Sequence, residues 1–310
     1  MLKATGRLLA IATLLLLGAC ATPQTAALRA DYGDLPARAE VADVPFFPQE
    51  KFYCGPAAAA MTLAWSGLPV TQDDLVPQVY TPGREGTLQP DVITAMRRNG
   101  RLAVQVETLP DILAELAAGR PVLVFQNLAL DWYPQWHFAV AIGYDLDDGK
   151  MILRSGPVER HEMSMATFEH TWRRGDYWAL VVLKPGQLPV KFDEIAVLRA
   201  ASGLERVGRT VEAAGAYQAI AGRWPASFPA WMGLGNTRYG LNDMSGAESA
   251  FRSAIGVRPD RAAPAWNNLA YVLAGDGRRD AALLAARTAV ELGGDQAANY
   301  RATLEELSQP

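Results

Sequence analysis

The stretch QEKFYCGPAAAAMTLAW, Gln49 to Trp65, decides how the first half of this chain folds. Gly55 and Pro56 follow Cys54, and proline suits a first helical turn because its missing N–H would be unpaired there anyway. Ala57 to Ala60, Met61, Leu63, Ala64 and Trp65 are mostly good helix formers and apolar enough to be buried. The spacing predicts a buried helix with Cys54 at its mouth. Free N–H groups and the helix dipole stabilise a thiolate at that position, so the expectation is a lowered thiol pKa and a reactive nucleophile. An inert buried cysteine is the other reading.

Working outward, Trp136 to Gly156 reads as a strand, a DDG turn and a return strand, with His137 at the head of the first strand. A cysteine early and a histidine much later is the order in which a thiol at a helix mouth meets an imidazole on a strand. The segments VPFFPQ, CGPAAAAM, HFAVAIGYD, TFEHTW and WALVVL, between Val41 and Leu183, resemble the bacteriocin-leader peptidase family, number 39 among cysteine peptidases. That resemblance implies an α+β papain-like domain with Cys54 as nucleophile and His137 as base, paired as thiolate and imidazolium. It also implies that Gln49 donates to the oxyanion together with the Cys54 N–H. The Gln49–Cys54 spacing is one residue shorter than the common papain-like one.

The family places an aspartate near the end of the return strand to orient the imidazole. Here Ser155 and Gly156 stand at those positions. A serine oxygen accepts the imidazole N–H but stabilises an imidazolium less than a carboxylate does. Hairpin pairing about Asp148 and Gly149 brings the level of His137 somewhere between Ser155 and Arg160. Ser155 therefore ranks first, Glu159 second and Asp145 third, and a Cys-His dyad stays open.

Residues 1–20 read as an export signal. Lys3 and Arg7 precede an apolar run, Leu8 to Leu17, that is short for a membrane span. Leu17-Gly18-Ala19-Cys20 resembles the lipobox of bacterial lipoproteins, which implies diacylation of Cys20 and a membrane anchor. Ala21 after the cysteine resembles outer-membrane sorting, facing the periplasm. A plain signal peptide or a short anchor is the alternative. The chain has two cysteines, so once Cys20 is lipidated Cys54 has no partner for an intrachain disulfide. A net charge of −4 gives no basic footprint for nucleic acid. His161, in the alternating stretch RHEMSM, and His170, in TFEHTW, lack ligand partners at metal spacing. Gly-rich phosphate loops are absent as well, so no metal or cofactor is expected.

Residues 21–40 read as a tether, 41–186 as the peptidase domain, opened by a short strand in DVPFFPQ, and 187–192 as a linker containing Pro189. From 193 to 310 the pattern turns helical and periodic. Trp231 and Trp266 lie 35 residues apart, each followed by leucine (Leu234, Leu269) and a small residue. Ala247, Phe251, Ala254 and Pro259 continue the middle unit at tetratricopeptide-repeat offsets. Ala282, Ala286 and Ala289 mark a third unit, and Ala213, Tyr217, Ile220 and Pro225 a weaker first one. Arg238 stands where the repeat usually has an aromatic, with Tyr239 beside it as a substitute. Asp295 to Leu307 reads as a capping helix.

The expected function is a membrane-anchored periplasmic cysteine peptidase that acts on a peptide or protein substrate, with a protein partner on the repeat surface. A papain-like scaffold that binds peptides without cleaving them, or acyl transfer to an amine by the same thiol, are the alternatives.

Overall fold

The computed structural model describes residues 22–49 and 52–309. The export signal and Cys20 lie outside the described residues. The chain divides into two compact units. One ends at Ile93 and resumes over Gln105–Val181; the other comprises Thr94–Val104 and Val182–Pro310.

The first elements stand where a tether is expected. Helix α1 (Pro23–Ala30) is followed by strand β1 (Arg38–Glu40). The helix is held by a carboxylate far away in sequence: buried Glu169 accepts hydrogen bonds from the backbone N–H of Gln24 (3.0 Å) and Thr25 (2.6 Å). These are orphan donors of a first helical turn, where negative charge is favoured. Thr25 and Leu28 are buried. Eight residues give too little periodicity to reveal this docking from sequence. DVPFFPQ, in turn, forms no strand; Pro45 and Pro48 lack the N–H a ladder needs, and the pairing strand lies earlier, at Arg38–Glu40.

Next come α2 (Cys54–Trp65), α3 (Gln72–Val79), β2 (Tyr80–Thr81), β3 (Gly86–Thr87), α4 (Gln89–Arg98), β4 (Leu102–Val106) and α5 (Leu109–Ala117). They are followed by β5 (Val122–Asn127), β6 (Trp136–Asp145), β7 (Lys150–Ser155), β8 (Val158–Ser164), α6 (Met165–Arg173) and β9 (Ala179–Leu183). Thr71 caps α3 in a reciprocal box with Asp74. Tyr80–Thr81 and Gly86–Thr87 pair as the tight hairpin of β2 and β3.

The main sheet runs β4-β9-β5-β6-β7-β8, and β1 pairs the far end of β6. Every residue of β5 and β9 is buried, as befits strands covered on both faces. Helix α2 packs on β6 and β5, burying Gly55 through Leu63. This fixes the cysteine helix against the histidine strand.

The second unit carries the helices α7 (Glu194–Arg206), α8 (Thr210–Arg223), α9 (Phe228–Gly240), α10 (Met244–Val257), α11 (Ala263–Gly275), α12 (Arg279–Leu292) and α13 (Ala297–Ser308). Successive helices pack as antiparallel neighbours, the tetratricopeptide arrangement. Ala247, Phe251, Leu269, Ala270, Ala282 and Ala286 form one continuous core with Trp266 against it. Small alanines let the helices approach, and Phe251 and Leu269 fill the seam. Ala213, Tyr217 and Ile220 of the weaker first unit are buried in the same way. Tyr239 does not replace the aromatic missing at Arg238, because it is exposed. Arg238 instead bonds Gln218 and the carbonyl of Gly246.

The candidate active site

Cys54 opens α2 behind the N-cap Tyr53. The chain enters this helix through Phe52, at φ 70, a left-handed conformation that costs a bulky residue energy. Gly55 is held against the β2–β3 hairpin so closely that a Cβ there would stand 2.3 Å from the Thr87 hydroxyl oxygen. Only glycine admits that approach. The Thr87 hydroxyl is itself buried beside the helix mouth without a hydrogen-bond partner. Neither Phe52 nor Thr87 stands out in the sequence, since their roles arise from packing.

The thiol faces the strand that carries His137. The backbone N–H of Phe138, the residue after His137, points at the Cys54 sulfur, as do the N–H groups of Gly55 and Cys54 itself. His137 is buried, and its Nε2 lies 2.9 Å from the Ser155 hydroxyl oxygen.

The remaining orienter candidates are carried elsewhere. Gly156, at φ 57, reverses the chain after β7, so Glu159 lies on β8. There its side chain is exposed and its carbonyl accepts from Arg154 (2.6 Å). Asp145 sits at the far end of β6, paired with Arg38 at 2.8 Å. Gln49 lies beside the Ser155 end of β7, its backbone N–H directed at the Gly156 carbonyl (3.4 Å). His161 is half-buried on β8, and its positive charge opposes ionisation of His137. His170 lies in α6, apart from these groups.

Burial governs the electrostatics. It pushes the Cys54 thiol up, outweighing the three N–H groups that favour the thiolate. Burial, and secondarily the charge of His161, lowers His137 to about 4. Both shifts run against the thiolate–imidazolium pair expected from sequence, because burial disfavours the charged form of each group. Sequence supplies the helix terminus but not the depth at which the terminus is buried.

Among the described residues no cluster of three or more His, Cys, Asp or Glu is placed to hold a metal ion.

Residues 41–179 match the model of the Peptidase_C39 like family, so the resemblance read from the motifs holds over that stretch. The helical unit that follows has the tetratricopeptide arrangement of stacked helix pairs described above. Among solved structures, a C39-like peptidase of Bacillus anthracis is similar at 18% identity, over 48% of this chain and 98% of that one, with a TM-score of 0.42. The Yersinia enterocolitica type III secretion chaperone SycD, in complex with a peptide of the translocator YopD, is similar at 16% identity, over 39% of this chain and 96% of that one, with a TM-score of 0.36. A thermophilic TPR protein of Thermus thermophilus is similar at 23% identity, over 37% of this chain and 63% of that one, with a TM-score of 0.33. No curated protein matches the chain.

Proposed function

We propose that the protein is a cysteine peptidase that cleaves peptide bonds through Cys54 and His137, anchored to the bacterial membrane through Cys20. The observation that carries this reading is Cys54 at a helix mouth facing the N–H of Phe138, the residue after His137, whose Nε2 meets the Ser155 hydroxyl. For His137 to act as base, Nδ1 must be unprotonated, so Nε2–H donates to the Ser155 oxygen. Cys54 attacks the carbonyl as its proton passes to Nδ1; the S–C bond forms and the oxyanion develops. The Cys54 N–H and the Gln49 side chain are the proposed donors to that oxyanion. The imidazolium then protonates the leaving amine, the C–N bond breaks, and water hydrolyses the thioester with His137 again as base. Burial disfavours the charged form of both groups, so the first proton transfer belongs to the attack rather than preceding it.

The lipobox Leu17 to Cys20 supports an outer-membrane lipoprotein facing the periplasm. The helical array supports a surface for a protein or peptide partner, and the chain's charge gives no ground for nucleic acid. Incubation with a peptide library and mass spectrometry of the products tests the activity. Wild type should cleave, Cys54→Ser should not, and His137→Ala should be slower by about 10²-fold or more. Cleavage surviving in Cys54→Ser overturns the assignment.

A second reading, a peptide-binding domain without turnover, is favoured by the raised thiol pKa and by a serine where the family has a carboxylate. Peptide binding by wild type with no thioester trapped on Cys54 would establish it.

A further inference from the structure

The second unit contains, besides its helical array, the last turn of α4 and the start of β4. Arg97, in that last turn, lies across α7, where a Cβ added at Gly203 would overlap its guanidinium. Only glycine lets the guanidinium rest so close to the helix backbone. Gly203 and Arg206 are three residues apart on α7 and share one face, with Arg199 one turn earlier on the same face. Arg97 therefore sits beside Arg206, and Arg199 stands at the rim.

These charges are unanswered. Among the described residues, Arg97, Arg199 and Arg206 have no hydrogen bond or ion pair, and the Arg97 Nε is buried. Burial, and next the charge of Arg206, both work against the Arg97 charge. The neighbouring carboxylates are engaged elsewhere: Glu205 accepts from the Tyr217 hydroxyl (2.6 Å), and Glu212 pairs with Arg209 (3.8 Å). Arginines in a last helical turn ordinarily answer free carbonyls. Here the Met96, Arg97 and Arg98 carbonyls accept from the Arg101 N–H, the Gly100 N–H and the Arg209 Nε. Those of Leu204 and Glu205 accept from the N–H groups of Arg209 and Gly208. Capping therefore does not account for the pair.

Charge complementarity names the occupant. A guanidinium presents a planar fork of donors that matches an oxyanion, and two adjacent forks without counterions gain from sharing one. Arg97 is half-buried, whereas basic side chains that meet a lipid surface protrude into it. We propose that Arg97 and Arg206, with Arg199 at the rim, form a recognition site for the carboxylates of an acidic peptide segment of a partner. The inference is independent of turnover at Cys54 and adds the chemistry of the partner that the helical unit takes.

The test is calorimetric titration of the full chain carrying Cys54→Ala, which keeps added peptides intact. The probes are Gly-Asp-Glu-Asp-Gly and its uncharged counterpart Gly-Asn-Gln-Asn-Gly, both capped at their ends. The acidic peptide should bind about tenfold more tightly or better, and its affinity should fall as salt rises. Arg97→Met and Arg206→Gln should each weaken that binding roughly tenfold. Arg287→Gln, on α12, removes the same charge elsewhere and should change nothing. Arg206 is exposed, so its variant carries the test even if Arg97→Met fails to fold. Equal affinity for the two peptides means that the chain takes peptides without this site, and binding of neither means that it takes no acidic segment. Each result overturns the proposal, as does acidic-peptide binding that Arg206→Gln leaves unchanged. Sodium phosphate and phosphatidylglycerol vesicles are the remaining arms. Binding of either that depends on Arg206, with the acidic peptide unbound, assigns the arginines to phosphate or to a lipid headgroup and overturns the peptide proposal.

Discussion

His137 Nε2 and Ser155 Oγ stand 2.9 Å apart, which leaves the imidazole oriented by a hydroxyl instead of a carboxylate. An uncharged partner fixes the ring but adds little to the stability of an imidazolium. Ser155→Ala should lower kcat/KM by about tenfold while leaving the fold intact. Ser155→Asp should raise the pH of the acid limb in the rate profile, because a carboxylate beside His137 favours its charged form. If neither variant alters the profile, the hydroxyl has no part in orienting the ring.

The depressed pKa of His137 ties stability to pH. The ordinary value is 6.5 and the folded value about 4, so the folded protein disfavours the proton. The stabilisation from this site is therefore complete above 6.5 and is lost as pH falls from 6.5 to about 4. The shift corresponds to roughly 3 kcal/mol across that window. Urea titrations from pH 7 to pH 4 should show wild type losing stability more steeply than His137→Gln. Parallel curves would mean that His137 is solvated in the folded state.

Because burial raises the Cys54 thiol, iodoacetamide should label it slowly at neutral pH and faster only in the alkaline range. Labelling followed by mass spectrometry across pH 5–10 reads this directly, and a plateau reached by pH 6 would restore the thiolate pair inferred from sequence.

Gly55 and Thr87 set the fit of the helix mouth. Gly55→Ala should cost about 1–3 kcal/mol, because its methyl would overlap the Thr87 side chain. Thr87→Gly in the same protein should recover part of the loss, so the two substitutions are non-additive in a double-mutant cycle. Strict additivity would separate the two residues.

Glu169 holds α1 through two backbone donors. Glu169→Ala should destabilise the first unit by about 1–3 kcal/mol and strip Gln24 and Thr25 of their acceptor. Limited proteolysis should then cut within 22–40, where wild type resists. Equal resistance in both would show that the helix is held by its apolar face alone.

Sequence by itself determined the parts whose cause is local. Gly55-Pro56 and the alanine run impose the cysteine helix, alternation about Asp148-Gly149 imposes the hairpin bearing His137, and the Trp231–Trp266 period imposes stacked helix pairs. Each rests on spacing within one or two turns of chain. Only the tertiary structure decided which group meets the imidazole. The β6–β7 register shifts between Ala141 and Gly143, the β7–β8 register shifts between Leu153 and Ser155, and the reversal at Gly156 carries Glu159 away. A one-residue change in register redirects every side chain beyond it, and spacing alone cannot supply that shift. The docking of α1 on Glu169, 145 residues from Gln24, likewise depends on distant packing. So does the sign of the Cys54 shift: the helix end that favours a thiolate is written in the sequence, and the burial that outweighs it comes from the sheet and hairpin folded around it.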